Sequence, residues 1–416
     1  MLLKLRRTIG LTGLVFYGVG TMVGGGIYAL LGKVAGEAGI FTPWAMLVAG
    51  GLAIFSALTF AELSSRLPFS GGPAKYITEA FHIKGLGTVF GWLVIATGVV
   101  SAATLTVAMS GFFLDLLELS VEWGRLVVVL LLLSLACWGI KQSVVVVAIV
   151  TSIEVIGLLL VIGINVESFT GGNFSIDPFD INSFNINHYM PGFEPLIWSG
   201  ILTGSFIAFY AFIGFEDMVT LAEEVKGSES NLPKAIMISL AITLLLYVVI
   251  AFVAVSGGDL SLFVESNTPM AYLVKGSSWL DHQVLIVISL LAGFNGALVQ
   301  VIMASRVVYG MAKEGQAPSF FSRLYAKTQT PILASLFAAF TVYFLASFID
   351  LIVLAKITSG IILFVFAGMN LSLIKIKSQE DKYTGFKVGL WIPVMGLLTS
   401  LACLLFVLIG SVSGGH

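Results

Sequence analysis

Hydrophobic residues fill this chain in long runs, and polar residues gather in short stretches between the runs. A helix needs about 20 mostly apolar residues to cross the ~30 Å hydrocarbon core of a bilayer. Eleven runs reach that length, and the third and eighth are long enough to tilt strongly or to project from the membrane. The predicted spans are 12–35, 42–65, 85–116, 124–141, 143–165, 196–221, 234–256, 282–312, 330–349, 351–376 and 389–411. The pattern predicts an all-α polytopic membrane protein.

Composition supports this prediction. Of 416 residues, 58% are apolar and only 11% are charged, which is too few to cover the surface of a soluble protein. The lipid bilayer is therefore the expected partner of most of the surface. The net charge of −2 gives no basic field for nucleic acid. Cys137 and Cys403 lie in separate apolar runs and offer no disulfide or metal framework.

Basic residues in the short loops predict the orientation. With the N-terminus in the cytoplasm, only Lys33, Arg125, Lys275 and Lys356 of the 21 Lys and Arg lie outside, which leaves 17 inside. The longest connection, 166–195, contains neither Lys nor Arg and fits an outer loop. We interpret the first apolar run as a retained span and not a cleaved signal peptide. An odd number of spans places the C-terminus outside the cell membrane.

The first span carries an unusual glycine run, GVGTMVGGGIY at residues 18–28. Gly24, Gly25 and Gly26 follow one another in mid-span, and each lowers helix propensity by about 1 kcal/mol relative to alanine. Freed backbone groups are tolerated at this depth only beside a cavity or a ligand. We predict a break at residues 20–26, with a glycine packing seam as the alternative.

The sixth span carries a second irregularity, because Gly214 and Phe215 are followed by the carboxylates Glu216 and Asp217. The first and sixth spans would be equivalent in a protein built from two halves of five helices. Since five is odd, the second half would be inserted upside down. This is the inverted-repeat plan, in which substrate binds at the midplane between discontinuous helices.

The ends of broken helices indicate the substrate. Half-helix N-termini expose N–H groups and a partial positive charge, which suit a carboxylate. Unwound carbonyls and half-helix C-termini suit an ammonium group or a cation. A zwitterionic amino acid satisfies both, so we predict an amino acid in preference to a sugar or a nucleobase.

Four motifs resemble those of the amino acid–polyamine–organocation superfamily. They are the glycine run of the first span, FAELSSRLPFSGGPAKY at 60–76, GFEDMVTLAEEVKGSESNLPKAI at 214–236 and MASRVVYGMAKEGQAPSFFSRLYAKTQTP at 303–331. The resemblance implies a LeuT-like 5+5 inverted repeat. The transport core would be 1–376, with spans 1–5 in about 12–165 and spans 6–10 in about 196–376, followed by an additional eleventh span at 389–411. Many members have twelve spans, so the family's oligomer contacts are not carried over and the oligomeric state stays open.

The resemblance also implies the roles of individual residues. The backbone of Met22, Gly25 and Gly26 would receive the substrate carboxylate. The carbonyls of Tyr210 and Ile213 would take the amino group, with the ring of Tyr210 or Phe212 as a gate. Gln300 would lie near the pocket for the substrate side chain. The whole predicted substrate-binding set is Met22, Gly24, Gly25, Gly26, Tyr210, Phe212, Ile213, Gly214 and Gln300.

Glu154 stands at the centre of the fifth span, where an isolated ionised carboxylate is costly. It must be protonated, paired or holding a cation; a neutral carboxyl bonded to a helix carbonyl is the structural alternative. Several relatives carry lysine at the apparently matching place, so their mechanism does not transfer unchanged. We predict proton coupling through Glu154, with sodium bound near it as the alternative. Glu216 would act as a second titrating group or would favour substrates with cationic side chains. Asn295 of the eighth span would be a polar neighbour of the coupling site.

Other classes of function fit the sequence less well. A channel lines its pore with repeated rings of carbonyls or charges, and this chain has broken helices instead. No Ser/His/Asp arrangement, metal-ligand spacing or GxxxxGK[ST] loop points to an enzyme or an ATP-driven pump. We predict a secondary active transporter without an organic cofactor, and leave open symport or exchange.

Overall fold

The computed structural model describes residues 9–68, 72–117, 120–138, 143–165, 189–222, 225–256, 259–325, 330–379 and 383–413. Throughout these ranges the chain forms α-helices and short 3₁₀ turns, which confirms the all-α prediction. Residues 139–141 of the predicted fourth span and 166–188 of the predicted outer connection lie outside the described residues.

In the described part of the first half, the chain forms seven α-helices. They are α1 Leu11–Val23, α2 Gly25–Ala38, α3 Thr42–Arg66, α4 Gly72–Phe81, α5 Lys84–Leu117, α6 Val121–Trp138 and α7 Ser143–Ile164. The first predicted span is therefore two helices, and α4 is a short helix that hydropathy did not predict. The other helices overlap the second to fifth predicted spans within a few residues.

Eight helices form the second half. They are α8 Pro195–Phe209, α9 Ser228–Ser256, α10 Leu260–Glu265, α11 Pro269–Leu273, α12 His282–Lys313, α13 Ile332–Phe348, α14 Leu351–Gln379 and α15 Trp391–Ser413. The 3₁₀ turns Tyr210–Phe212 and Phe215–Leu221 continue α8 along the predicted sixth span. The short helices α10 and α11 were not predicted.

Length and composition mark the described helices as membrane helices. Six apolar helical stretches are long enough to cross a bilayer, and the first of them runs from Leu11 to Arg66 through α1, α2 and α3. Shorter apolar helices occur at Ala148–Ile164, Ile332–Phe348 and Trp391–Phe406. The protein is therefore a polytopic membrane protein, and the count of eleven crossings stays a prediction.

Each membrane helix has an outer apolar face and an inner packed face, as α7 illustrates. Ile149, Ile156 and Leu159 are exposed on one side of α7, where lipid would cover them. Thr151 and Glu154 are fully buried on the other side. Spacings of three and seven residues keep side chains on one helix face, so both polar groups point into the bundle.

Helix packing places the irregular parts of the first and sixth spans at the centre of the bundle. The long helices α5 and α12 pack along each other, and so do α3 and α9. α1 packs between α7 and α9, while α8 packs against α2 and α3. The breaks in the two spans are therefore enclosed by other helices and do not face lipid.

Candidate functional site

The first break is one residue long. α1 ends at Val23, Gly24 leaves the helical conformation with ψ near −163°, and α2 begins at Gly25. The predicted unwound segment, 20–26, was therefore too long, because the residues on both sides of Gly24 keep helical geometry. The first N–H groups of α2 have no intrahelical acceptor and lie directly at the break.

The second break spans the end of α8 and the turn after it. The chain tightens into a 3₁₀ turn at Tyr210–Phe212, Ile213 is extended, and Gly214 has φ +136°. An L side chain rarely adopts that φ, so glycine is needed at this position. A second 3₁₀ segment, Phe215–Leu221, then carries the chain onward. The predicted interruption of the sixth span is present.

The two breaks lie in direct contact. The Thr21 hydroxyl donates to the carbonyl of Gly214 at 3.1 Å and to that of Gly18 at 3.0 Å. A Cβ on Gly26 would lie 3.2 Å from Cα of Ala211. The structure therefore brings together the predicted backbone set of both breaks, although the Thr21–Gly214 pair is 193 positions apart in sequence.

Tyr247 of α9 joins the same two segments and was missed by sequence reasoning. Its hydroxyl lies 2.6 Å from the carbonyl oxygen of Met22 and 3.0 Å from that of Ala211. The side chain is fully buried. In sequence it stands in an apolar run, SLAITLLLYVVIAF, where it looks like an ordinary membrane tyrosine, so no local signal reveals the contact.

Glycines let the first break pack tightly on α12. A Cβ on Gly25 would lie 2.5 Å from Cα of Gly293 and 2.7 Å from Leu105 of α5. A Cβ on Gly24 would lie 3.8 Å from Cα of Gly296. The alternative of a glycine seam therefore describes part of the arrangement, since Gly25 serves close helix packing as well as the break.

The two aromatic residues predicted as a gate are buried at the second break. The Tyr210 hydroxyl donates to the carbonyl of Ser101 on α5 at 2.9 Å and lies 3.0 Å from the Ser101 hydroxyl. The Phe212 ring packs edge-on against Tyr247, with ring centroids 5.0 Å apart. The Tyr210 side chain therefore holds the second break against α5, and the Phe212 ring packs it against α9.

Gln300 faces the segment just after the second break. Its amide donates to Oδ2 of Asp217 at 3.0 Å, and its own carbonyl oxygen is buried without a described partner. Glu216 accepts the N–H of Gly214 at 2.9 Å. Sequence reasoning gave Asp217 no role, because the pairing partner lies on α12 and one sequence does not reveal it.

Glu154 is fully buried where α7 meets α1 and α12. Its Oε1 is 3.5 Å from the amide of Asn295, a long contact, and its Oε2 has no described partner. The Thr151 hydroxyl, one turn earlier, also has no described partner and lies against Gly20. The Tyr28 hydroxyl donates to the backbone carbonyl of Glu154. Two buried oxygens near the first break thus have no described partner, and one of them, the Thr151 hydroxyl, lies against α1.

A further buried carboxylate, that of Glu62, lies near the end of α3. Glu62 accepts N–H groups of Arg66 at 2.8 Å, the Lys377 ammonium at 2.6 Å and the Val388 N–H at 2.8 Å. The Arg66 guanidinium stacks 4.4 Å from the centre of the Tyr383 ring. We call these five residues the Glu62 cluster; it ties α3, α14 and the connection to α15 together.

A cavity of about 300 Å³ opens on the predicted outer side. α2, α5 and the segments before α11 and α14 enclose it, and it is lined in part by Lys33, Ser110, Ser266, Asn267 and Asp350. Among the described residues, including those that line this cavity, no group of three or more His, Cys, Asp or Glu residues could hold a metal ion.

The fold and the two converging breaks define a polytopic membrane protein with an enclosed polar site at its centre. The sequence profile of the amino acid permease family matches residues 9–414. The chain therefore belongs to this family, within the amino acid–polyamine–organocation superfamily that the four motifs indicated. The family consists of permeases, which agrees with the prediction that the chain is not an enzyme.

Individual relatives are similar over most of the chain. The vacuolar cationic amino acid transporter 4 of Arabidopsis thaliana is 28% identical over 400 residues, which are 90% of this chain and 64% of that protein. The mitochondrial cationic amino acid transporter 3 of the same plant is 29% identical, with 90% and 63% covered. The branched-chain amino acid permease BcaP of Bacillus subtilis is 26% identical, with 97% and 88% covered. The chain thus spans slightly less than two thirds of the two plant proteins.

Proposed function

We propose that this protein is a secondary active transporter that carries an amino acid across the cell membrane by alternating access. The observation that supports this most directly is the contact between two broken membrane helices at the centre of the bundle. Free backbone N–H and C=O groups at such depth need a ligand or a buried partner. The family, and relatives named as transporters of cationic and of branched-chain amino acids, support the same substrate class.

The packing pattern supports a LeuT-like 5+5 inverted repeat. If spans n and n+5 are exchanged, the contact of α1 with α9 becomes that of α8 with α3, and both occur. The contact of α5 with α6 becomes that of α12 with α13, and both occur. The short helix α4 and the pair α10 and α11 hold equivalent places, between spans two and three and between spans seven and eight. α15 is the additional span at 389–411.

The site's chemistry suits the backbone of an amino acid. The N-terminus of α2, at Gly25 and Gly26, offers N–H groups and a partial positive charge to the carboxylate. Ile213 is extended and lies in the second break, and we assign its carbonyl to the ammonium group. The carbonyl of Tyr210 already accepts the N–H of Ile213 at 3.2 Å, and its second lone pair remains for the substrate.

Glu154 is our proposed coupling group, with a proton as the coupling ion. Its Oε2 and the Thr151 hydroxyl are buried without described partners. The Thr151 hydroxyl lies against Gly20 of α1, so a movement of the first break would change the surroundings of this pair of residues. A protonated carboxyl satisfies the burial without a counter-ion. Sodium bound by these oxygens is the alternative, since hard cations prefer oxygen ligands.

Uptake by purified protein in liposomes tests the function. Labelled arginine, lysine, leucine and valine are offered with a proton gradient or a sodium gradient, applied separately. Saturable uptake with trans-stimulation by internal amino acid identifies a transporter and eliminates a passive channel. Failure to move any amino acid under either gradient, by protein shown to be folded, would refute the proposal.

The same assay tests the coupling group. We expect Glu154→Gln to keep exchange of amino acid across the membrane but to lose accumulation driven by a proton gradient. Glutamine keeps the shape and the contact to Asn295 but carries no titrating proton. Full proton-driven accumulation by this variant would remove Glu154 from the mechanism, and sodium-driven accumulation by the unmodified protein would favour the alternative ion.

A further inference from the structure

The carbonyl of Ala211 is freed by an unusual local hydrogen bond. In a continuous 3₁₀ turn, the N–H of Gly214 would donate to the carbonyl three residues earlier, at Ala211. Here that N–H donates to Glu216 Oε2 at 2.9 Å. The carbonyl of Met22 is free for a different reason, because it lies in the last turn of α1. Each break therefore presents a buried acceptor without a donor from its own helix.

The Tyr247 hydroxyl lies between these two acceptors. It is 2.6 Å from Met22 O and 3.0 Å from Ala211 O, and its single proton is shared between them. Thr21 makes a second link, from its hydroxyl to the carbonyl of Gly214 at 3.1 Å. The breaks belong to different helices, so these two hydroxyls are direct side-chain links between them.

We propose that Tyr247 and Thr21 fix the separation of the two breaks and thereby select α-amino acids over amino acids with a longer backbone. The inference rests on the proposed function, in which the first break receives the carboxylate and the second the ammonium group. One carbon separates these groups in an α-amino acid and two in a β-amino acid. A fixed distance between the two receptors therefore accepts the first and rejects the second.

The expected preference for the α-amino acid is the discrimination that a binding site makes against one additional methylene group. Rejection of a substrate with one extra methylene by a shaped site amounts to about 10–200-fold in kcat/KM. Loss of a link lets the two helix ends move apart. The value of kcat/KM then rises for the longer β-amino acid and falls for the shorter α-amino acid. The ratio of the two rates is the quantity to measure, since a purely structural loss lowers both rates together.

The experiment compares leucine with β-leucine in proteoliposome uptake. We expect Tyr247→Phe, which removes only the hydroxyl, to reduce the preference for leucine by about tenfold or more. Tyr76→Phe is the matched control, because Tyr76 of α4 is fully buried and its hydroxyl has no described partner. The control should keep the preference of the unmodified protein.

Thr21 provides an independent second test, which decides the matter if Tyr247→Phe does not fold. Thr21→Val keeps the shape and removes the link, so its preference for leucine should fall. Thr21→Ser keeps the hydroxyl, so its preference should stay. An unchanged ratio in the folded link-removing variants, or no preference in the unmodified protein, overturns the inference. If the unmodified protein transports no amino acid at all, including leucine and β-leucine, it is the proposed function that fails.

Discussion

At the scale of single residues, the three consecutive glycines of the first span have different structural roles. Gly24 makes the break, Gly25 lets the break approach α12, and Gly26 faces the second break. This division changes which substitution tests the site. A side chain on Gly25 would collide with the backbone of Gly293, so its effect on folding would obscure its effect on binding.

Gly26→Ala is the better probe of the carboxylate position. Its Cβ would lie 3.2 Å from Cα of Ala211 and 3.3 Å from the Tyr210 ring, which is tight but can be relieved by small shifts. We expect a folded protein whose affinity for amino acid falls by about tenfold, or ~1.4 kcal/mol, because the methyl group fills space at the helix N-terminus. Binding is measured by calorimetry or by ligand-dependent shift of Tm.

Gly51→Ala is the matched control for this change. Gly51 lies inside α3, and nothing is within 4 Å of the Cβ that would be added. Alanine in a helix interior stabilises relative to glycine, so binding should stay as in the unmodified protein. Equal affinities of Gly26→Ala and Gly51→Ala would place the carboxylate elsewhere.

Asp217 bears on the choice between cationic and neutral substrates. It is buried with Glu216 next to it, and no described cation lies within 4 Å of its carboxylate. We expect Asp217→Asn to raise KM for arginine about tenfold more than KM for leucine, because a cationic substrate side chain would favour the ionised form of Asp217 and pair with it, whereas asparagine offers no charge to pair. Asparagine can still hydrogen-bond Gln300, whose carbonyl oxygen has no described partner. Equal changes in both KM values would show that the charge does not select the substrate.

Sequence alone locates some of these residues and not others. Glycine runs and carboxylates stand out against an apolar background, so Gly24, Glu154 and Glu216 are visible from the chain itself. Tyr247 and Thr21 are ordinary membrane residues whose importance comes only from what they touch. Their partners are far away in sequence, and one sequence without its fold carries no information about that pairing.

At the scale of helices, hydropathy predicts the long elements well and the short ones poorly. α5 and α12 were expected to be the longest spans, and they have 34 and 32 residues. α4, α10 and α11 have at most 10 residues and lie in connections, so their mixed polarity does not register in a window of membrane length. The length of the first break was overestimated, because glycine permits unwinding without requiring it.

The Glu62 cluster is a buried, charge-paired link between helix ends. Glu62 is fully buried, and the side chains of Arg66 and Lys377 are only 4% and 14% exposed. Beside it, the Ser65 hydroxyl donates to the carbonyl of Glu229 at 2.6 Å, which brings the start of α9 to the same place. Three helices and the connection before α15 therefore meet around the Glu62 cluster.

We expect Glu62→Gln to destabilise the fold by about 3 kcal/mol, because two poorly solvated cations lose their counter-charge. Thermal unfolding in detergent, followed by a fluorescent thiol-independent dye, gives the change in Tm. The comparison is Glu79→Gln, which removes an exposed pair with Lys75 and should change stability by no more than about 0.5 kcal/mol. Equal Tm values for the two variants would mean that the Glu62 cluster contributes nothing beyond surface charge.

At the scale of the whole molecule, the proposed transport function requires the enclosed central site to open to each side of the membrane in turn. The cavity of about 300 Å³ lies on the predicted outer side, between the α2 half of the first span and the segments before α11 and α14. The Glu62 cluster lies on the predicted inner side, at the ends of α3 and α14. Alternating access then requires the outer cavity to close when the inner pathway opens.

Thiol accessibility tests both the orientation and this motion. In a background where Cys137 and Cys403 are replaced by serine, Ser266→Cys places a thiol in the wall of the outer cavity. We expect a membrane-impermeant thiol reagent to label it from outside, and saturating amino acid to slow the labelling as the cavity closes. Ser378→Cys, exposed at the inner end of α14, is the matched control and should react only from inside, at a rate that amino acid does not change. Labelling of Ser378→Cys from outside would reverse the orientation. Labelling of Ser266→Cys that ignores saturating amino acid would show that this cavity takes no part in the transport cycle.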